Sequence, residues 1–242
     1  MLIDLHAHSS GISKCCRIPI EQVIEEARAV GIDGLVLTNH YQKNYVTDGD
    51  YAAFAARYVA EYEYAADLVA GRDFRIFFGI EVTMERHVGV HMLIYGVDTS
   101  FLRAHPMLFD YTQQELYRLV HEAGGILVQA HPMRRQDRLL DTDYLDGIEI
   151  SCHPLYEGTH ITELRAVAER AGLILTAGGD FHADTHRARC GVYLDDSFTS
   201  AKQIADYLAS AAEVRLCVQE VDARESYDII FDRQPLTGGI SK

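Results

Sequence analysis

Side chains that commonly bind metal ions recur along this chain where short aliphatic segments begin or end. The sequence contains 12 histidines, and six of them stand at such positions together with two acidic residues. These eight residues are His6, His8, His40, Glu81, His91, His131, Asp180 and His182. Each one alone has an ordinary explanation, such as a helix cap or half of a salt bridge. Buried together they would be costly unless cations held them, so the set predicts a metal centre.

The spacing inside two of the motifs favours joint binding of one ion. His6 and His8 are separated by one residue, and so are Asp180 and His182. Side chains alternate between the two faces of a strand, so residues two apart point the same way. Each pair is therefore expected to offer its donor atoms to one ion.

The donor types restrict the chemistry. Six imidazoles and two carboxylates suit zinc, manganese or iron better than ions that prefer only thiolates or only oxygen. Catalytic sites commonly use about three protein ligands per ion, so eight ligands with one shared carboxylate serve two ions and part of a third. Such a cluster generates hydroxide at neutral pH and clamps the attacking and leaving oxygens of a phosphoryl group. We therefore expect a hydrolase with two or three divalent transition-metal ions.

The elements that position these residues alternate along the chain, which favours a parallel sheet or barrel. Helices are predicted over 19–30, 50–70, 112–123, 159–171 and 200–210, with a capping box at Thr112 and Glu115. Strands are predicted over 2–6, 34–38, 75–82, 90–96, 125–130, 147–151 and 173–177. Further strands are expected in 214–231. In an α/β barrel the carboxyl ends of the strands form the active-site face, so most of the eight residues converge there.

His91 is an exception, because it starts its strand. Only nine residues separate it from Glu81, which is too short for a helical crossover. An antiparallel hairpin of the two strands would bring the start of one beside the end of the other. We therefore expect His91 to reach the same mouth as Glu81.

Length and composition are those of one domain, residues 1–242. A chain of 242 residues with 48% hydrophobic content can form a single barrel with a sizeable core.

There is no apolar run of membrane-spanning length, and the N-terminus has no basic leader or cleavage site. The odd set of five cysteines favours reduced thiols in the cytoplasm. A net charge of −14 disfavours stable binding of nucleic acid, while the oligomeric state is left open.

Taken together, the motifs resemble those of the PHP (polymerase and histidinol phosphatase) family, from residue 2 to about residue 190. The matching segments are His6-Ala7-His8, Thr38-Asn39-His40, Gly79-Ile80-Glu81, the strand that begins with His91, Ala130-His131-Pro132 and Gly179-Asp180-Phe181-His182. The resemblance implies a distorted (β/α)7 barrel, completed by residues 191–242, a three-metal centre and phosphoesterase activity. It casts all eight residues as ligands, with Glu81 bridging two ions. We expect Glu81, Asp180 and His182 to be the catalytic members.

The sequence departs from the family pattern at two places. Asn39 stands where the family often has aspartate. The family also has a ninth ligand, His or Asp, shortly after the first motif, whereas residues 9–17 contain neither. Either Cys15 or Cys16 substitutes as a thiolate, or both are small buried residues and the third site is weak or empty.

The expected substrate is a small phosphorylated molecule, a phosphate monoester, held by arginines at the mouth. The candidates are Arg17, Arg134 and Arg135, since arginine is the usual partner of phosphate. His153 is expected to support the ligands or to contact the substrate.

Three alternatives remain. A C–N amidohydrolase would commonly use a carboxylated lysine as its bridge, and none of the four lysines ends a strand. The others are a proofreading-type metal module of a replication complex and a metal-binding protein without turnover.

Overall fold

The computed structural model describes residues 1–134, 138–154, 158–182 and 187–233, and within these ranges eleven strands form one continuous sheet. The strands are β1 Leu2–Ala7, β2 Gly34–Leu37, β3 His40–Tyr41, β4 Arg75–Thr83, β5 His91–Tyr95, β6 Ile126–Gln129, β7 Gly147–Ser151, β8 Ile174–Gly178, β9 Gly191–Tyr193, β10 Glu213–Val218 and β11 Tyr227–Asp232. Each of the seven strands predicted before residue 178 is present, with ends that differ by a residue or two. The two residues of β3 and the whole of β9 were not predicted.

Seven of these strands form the barrel, in the order β1-β2-β4-β5-β6-β7-β8. The ring is nearly closed, because Ala7 of β1 bridges Phe181 just after β8, and the Asp180 N–H donates to the His6 carbonyl at 2.8 Å. The distorted seven-stranded barrel expected from the sequence is thereby confirmed.

The distortion arises at β5, which runs against both of its neighbours. It pairs antiparallel with β4, where Thr83 faces His91, and antiparallel with β6. The other pairs within the barrel are parallel. The predicted hairpin is therefore correct, and it places the first residue of β5 beside the last residues of β4.

The tail continues the sheet beyond the barrel. Strand β9 pairs antiparallel with β1, opposing Val192 to Ile3, and β10 and β11 add two further antiparallel strands. The strands predicted in 214–231 are thus confirmed as a hairpin.

Six α-helices cover the outside of the sheet within the described ranges. Their ends follow from local chemistry: the Asp50 side chain accepts a hydrogen bond from the Ala53 N–H, and Thr112 forms the predicted capping box with Glu115. The helix formed by residues 99–104 was not predicted. The helices are α1 Ile20–Ala29, α2 Tyr51–Leu68, α3 Thr99–Ala104, α4 Gln113–Glu122, α5 Ile161–Ala171 and α6 Ala201–Ser210. None of the helices in the described ranges has the length and apolarity that crossing a bilayer requires.

Helix α6 packs against β4 and β5, on the face that a crossover helix would cover in a regular barrel. Gly96, just after β5, has φ +86°, and a Cβ atom at this position would lie 2.5 Å from Cβ of Ala205. Glycine is required here both by the left-handed backbone and by the close approach of the helix.

Candidate metal centre

The eight predicted ligand side chains lie together at one end of the barrel. The donor atoms of seven of them form overlapping groups, and within each group all atoms are within 4.8 Å of one another. One group contains His6, His8, Glu81 and Asp180; the others include His8 with His40 and His182, and His40 with Glu81 and His91. His131 Nε2 lies 3.4 Å from Glu81 Oε1. All eight residues are thus brought together, and their role as ligands remains a prediction.

Glu81 occupies the centre of the cluster and is fully buried. Its Oε1 atom lies 2.8 Å from His91 Nδ1 and 3.3 Å from His6 Nε2. Its Oε2 atom faces His40 Nδ1 and lies 3.5 Å from His8 Nε2. The two oxygens therefore face different histidines, an arrangement suited to a carboxylate shared between two cations.

Asp180 sits beside the first histidine pair. Its Oδ1 atom is 3.0 Å from His8 Nε2 and 3.4 Å from His6 Nε2. Asp180 has φ +47° and His131 has φ +29°, a region that costs energy for residues other than glycine. Both strained residues belong to the predicted ligand set.

Hydrogen bonds on the far side of three imidazoles fix which nitrogen faces the cluster. His6 Nδ1 donates to the Glu149 carboxylate at 2.9 Å, and His182 Nδ1 donates to the Asp180 carbonyl at 2.7 Å. The Ser13 hydroxyl donates to Asn39 Oδ1, so Ser13 Oγ accepts from His8 Nδ1 at 3.0 Å. In the neutral form of each ring, Nε2 then carries the lone pair and is available to a cation.

Asn39, the first departure from the family pattern, organises this support. Its Oδ1 atom accepts from the Ser9 N–H and from the Ser13 hydroxyl, both at 2.8 Å. Its Nδ2 group donates to Ser9 Oγ at 3.0 Å. Asparagine therefore supplies the acceptor oxygen through which Ser13 orients His8.

The charges of the cluster are strongly coupled. Burial by itself would raise the pKa of Glu81, but the neighbouring His40, His91 and His6 outweigh it and hold this pKa well below its usual range. Burial would lower the pKa of His6, but the carboxylates of Glu149, Asp180 and Glu81 raise it well above its usual value. Burial lowers the pKa of His8, and the adjacent His182 and His40 lower it further.

The donor set fits a metal ion. His6 Nε2, His40 Nδ1 and Glu81 Oε2 are buried and form no hydrogen bond with any described residue, although His40 Nδ1 faces Glu81 Oε2. Buried polar atoms are normally satisfied, and cations bound by the two groups that contain His6 with Glu81 and His40 with Glu81 would satisfy all three.

The predicted phosphate-binding arginines differ in placement. The Arg17 N–H donates to the His182 carbonyl at 2.9 Å and the residue is exposed, so it lies at the rim of the cluster. Arg134 is partly buried, and its charge acts on His153. Arg135 lies outside the described residues.

The two cysteines of the first loop, residues 9–17, point in different directions. Cys16 is buried, its Sγ atom contacts the Ile18 carbonyl at 3.6 Å, and burial raises its pKa to about 11. Cys15 is exposed, and its Sγ atom lies 3.9 Å from Tyr45 Oη. Burial would raise the pKa of Cys15, but the neighbouring His182 and His40 outweigh it and lower the pKa to about 6.

Sequence analysis missed Glu149 and left His153 undecided. Glu149 lies in the middle of β7 and is fully buried, and the signal was a single acid within an otherwise apolar strand, Gly-Ile-Glu-Ile-Ser. His153 has a donor atom within 4.8 Å of Asp180 and His182. Burial, with the charges of His182 and Arg134, lowers the pKa of His153 to about 4 despite the opposing effect of Asp180.

Comparison with known proteins gives a structural likeness without a sequence match. Neither a family model nor a curated protein matches this sequence. A solved structure from Bacteroides vulgatus, described as a two-domain protein containing a predicted PHP-like metal-dependent phosphoesterase, superposes with a TM-score of 0.62. The identity is 14%, and the match covers 99% of this chain and 88% of that one.

Two further solved structures are similar. PsfC from Pseudomonas syringae has a TM-score of 0.55 at 20% identity, covering 94% of this chain and 90% of its own. An amidohydrolase from Chromobacterium violaceum, with bound sulfate and no metal, has a TM-score of 0.53 at 19% identity, covering 85% and 96%. At these identities the comparisons establish a shared fold, which agrees with the fold implied by the motifs.

Proposed function

We propose that this chain, which has the fold of a PHP-like metal-dependent phosphoesterase, hydrolyses a small phosphate monoester with the help of bound divalent cations. The observation that carries the proposal is the placement of Glu81. Its two oxygens face different histidines, His6 and His91 on one side and His8 and His40 on the other. A buried carboxylate of this kind supports two neighbouring cations. Sites with two cations commonly catalyse phosphoester hydrolysis.

The side chains divide into ligand groups for two or three ions of zinc, manganese or iron. His6, His8, Glu81 and Asp180 would hold one ion. A second would take Glu81 with His91 and His131, whose ring nitrogens lie 2.8 and 3.4 Å from Glu81 Oε1. The remaining donors, His40 and His182, would belong to a third position, next to His8. When bound, such ions lower the pKa of water and neutralise charge on the phosphoryl oxygens.

The exposure of the side chains indicates where the substrate enters. The side chains of His6, His8 and Glu81 have no exposed surface and form the floor. Those of His182 and His91 are 17% and 14% exposed and form the rim. The substrate would therefore meet His182 first, with Arg17 next to it, while Asp180 holds the His182 ring through its backbone carbonyl. This supports Asp180 and His182 as catalytic residues alongside Glu81.

Arg17 and Arg134, the two candidate phosphate-binding arginines within the described residues, support a phosphorylated substrate. Guanidinium groups form paired, charge-assisted hydrogen bonds with phosphate oxygens. Arg17 lies at the rim, and Arg134 follows His131 directly in the chain.

A C–N hydrolase is the second candidate, favoured by the likeness to the amidohydrolase structure. A carboxylated lysine is a common bridge in such enzymes, and Glu81 holds the bridging position here. The described lysines lie on the surface, where Lys14 contacts the Asn44 carbonyl, Lys43 pairs with Asp110, and Lys202 pairs with Asp206. This arrangement favours the phosphoesterase.

The odd, unpatterned set of five cysteines supports the cytoplasm as the place of action.

A substrate panel tests the proposed function. Protein of known metal content should be assayed against phosphorylated metabolites, nucleotides and phosphopeptides, with amides and lactones in parallel. We expect phosphate release from at least one small monoester, abolished by a chelator and restored by zinc, manganese or iron. Amide cleavage with no phosphate release would overturn the proposal in favour of the second candidate.

A further inference from the structure

A buried ion pair joins β1 to the chain that follows β8, next to the predicted ligands. The side chain of Asp4 on β1 is fully buried, and that of Arg187 is 2% exposed. Arg187 Nη2 donates to Asp4 Oδ2 at 2.7 Å, and the guanidinium carbon lies 4.9 Å from the centre of the Phe181 ring. Arg187 therefore fixes one oxygen of the Asp4 carboxylate.

The other oxygen of Asp4 binds the backbone of two segments that carry predicted ligands. Asp4 Oδ1 accepts from the His6 N–H at 3.0 Å and from the Gly179 N–H at 2.9 Å. His6 is itself a predicted ligand, and Gly179 directly precedes Asp180 in the chain. One carboxylate oxygen thus links two segments, distant in sequence, whose side chains meet at the cluster.

Both segments depart from regular backbone at this point. Between Asp4 and Ala7, β1 contains one residue more than the matching part of β2, which makes a β-bulge around His6. Asp180 has φ +47°. A bulge leaves part of the ladder unpaired, and a strained residue persists only where its surroundings hold it. The Asp4 carboxylate supplies a backbone acceptor at both places.

The ion pair is poorly arranged as a source of stability. Nε and Nη1 of Arg187 are buried and form no hydrogen bond with any described residue. Taking two charges out of water costs free energy, which such a pair regains only when its remaining donors are also satisfied. Stabilisation of the fold therefore explains the pair less well than the two contacts that Asp4 makes beside the ligands.

We propose that Asp4, held by Arg187, is a positioning residue that fixes His6 and Asp180 at the spacing a metal ion requires. The inference rests on the metal centre proposed above. The carboxylate acts through the backbone, because it holds the bulge that directs His6 and the turn that presents Asp180. His6 Nε2 lies 3.4 Å from Asp180 Oδ1, so both atoms can bind one ion only while this spacing is kept.

Two double variants separate positioning from stability. Asp4→Asn/Arg187→Met removes both charges but keeps an oxygen that can accept from the two backbone N–H groups. Asp4→Leu/Arg187→Met is close to it in size and lacks that oxygen. Zinc affinity should be measured on the metal-free full chain by competition with a chromophoric chelator. We expect near-parental affinity in the asparagine variant and a loss of roughly 10- to 100-fold in the leucine variant.

The control for general destabilisation is Gln113→Leu on helix α4. Gln113 is buried, and its Nε2 group donates to the Asp141 carbonyl at 2.7 Å and to the Tyr144 carbonyl at 3.1 Å, outside the ligand cluster. We expect this variant to have a lower Tm in the metal-free form and a parental zinc affinity. A loss of affinity equal to that of the Asp4→Leu variant would show that destabilisation alone weakens the site.

A further variant keeps the test decisive if the leucine variant fails to fold. A Cβ atom at Gly179 would lie 2.8 Å from Asp4 Oδ2, so Gly179→Ala should displace the carboxylate without removing any charge. We expect zinc affinity to fall by roughly tenfold. Parental affinity in Gly179→Ala, or equal affinities in the two double variants, would overturn the proposal.

The outcome is separable from that of the proposed function. Phosphate release by the same preparations reports the phosphoesterase. Zinc binding that depends on Asp4 without phosphate release would refute only the proposed reaction. Phosphate release with a zinc affinity that the Asp4 variants leave unchanged would refute only the positioning role. A parent that binds no zinc would overturn the metal centre and this inference together.

Discussion

Both carboxylate oxygens of Glu149 lie within hydrogen-bonding distance of His6 Nδ1, at 2.9 and 3.0 Å. The same carboxylate accepts from the His131 N–H at 3.2 Å. The buried carboxylate of Glu149 on β7 therefore orients two predicted ligands, His6 within β1 and His131 just after β6. Its charge also makes the His6 ring more basic, which strengthens binding through Nε2.

We expect Glu149→Gln to weaken metal binding. The amide keeps a hydrogen-bond acceptor but loses the charge that supports His6, so affinity should fall by roughly 10- to 100-fold. Competition with a chromophoric chelator measures this directly. The matched control is Glu122→Gln at the exposed end of helix α4. Equal affinities in the two variants would show that Glu149 does not tune the site.

Glu81→Gln should lose more activity than any single histidine-to-alanine change among the predicted ligands. One carboxylate placed between two histidine groups supports two cations, so its replacement disturbs both at once. The measurement is kcat on the best monoester, with metal content determined for each variant. A kcat within a few-fold of the parent would refute the shared role of Glu81.

Arg17→Ala and Arg134→Ala should reduce kcat/KM without changing metal content, if each contacts the substrate phosphate. Loss of one charge-assisted contact costs roughly 1.5–3 kcal/mol, or about ten- to more than a hundredfold. Arg135→Ala completes the set, and Arg118→Ala on the exposed face of helix α4 is the control. Parental kcat/KM in all three would mean that other groups hold the phosphate or that the substrate carries none.

Tyr58→Phe should destabilise the fold and the site together. The buried Tyr58 hydroxyl contacts the Asn39 carbonyl at 2.7 Å and the Gly79 carbonyl at 3.0 Å, next to the segments that carry His40 and Glu81. Leaving these carbonyls without their donor should cost about 1–3 kcal/mol in denaturant unfolding. Tyr64→Phe, at an exposed position of the same helix, should cost much less. Equal effects would contradict a special role for Tyr58.

The gain in stability on binding zinc should increase with pH. Burial would lower the pKa of His40, but Glu81 and Cys15 raise it to about 10 in the metal-free protein. The stability from this protonated ring is fully present below the unfolded pKa of about 6.5 and is lost as pH rises through about 10. Metal competes with that proton, so binding tightens over the same interval. The rise in Tm on adding zinc should therefore be larger at about pH 8.5 than at about pH 6.5, and His40→Gln should reduce the difference.

Much of this site could be predicted because its ligands stand at strand ends. The position of His91 followed from loop length alone, since nine residues cannot hold a crossover helix. The alternation of side chains in β1 likewise placed His6 and His8 on one face.

The supporting residues could not be predicted in the same way. Glu149 lies in the middle of a strand, and only the closed barrel brings it under His6. Which of Cys15 and Cys16 is buried depends on how Ser13 and Asn39 fold the first loop, which no residue pattern encodes. The short strand β9 was missed because its three residues are defined by pairing with β1 rather than by their own composition.

The reversal of β5 has a consequence for the order in which the chain is made on the ribosome. Helix α6 covers β5 and shares the cover of β4 with helix α2, its Ala205 lies next to Gly96, and it is synthesised after every barrel strand. Until then the outer face of β5 lacks this cover. A nascent chain paused before residue 201 would therefore expose the outer face of β5 to chaperones and proteases, although all eight predicted ligands had already been translated.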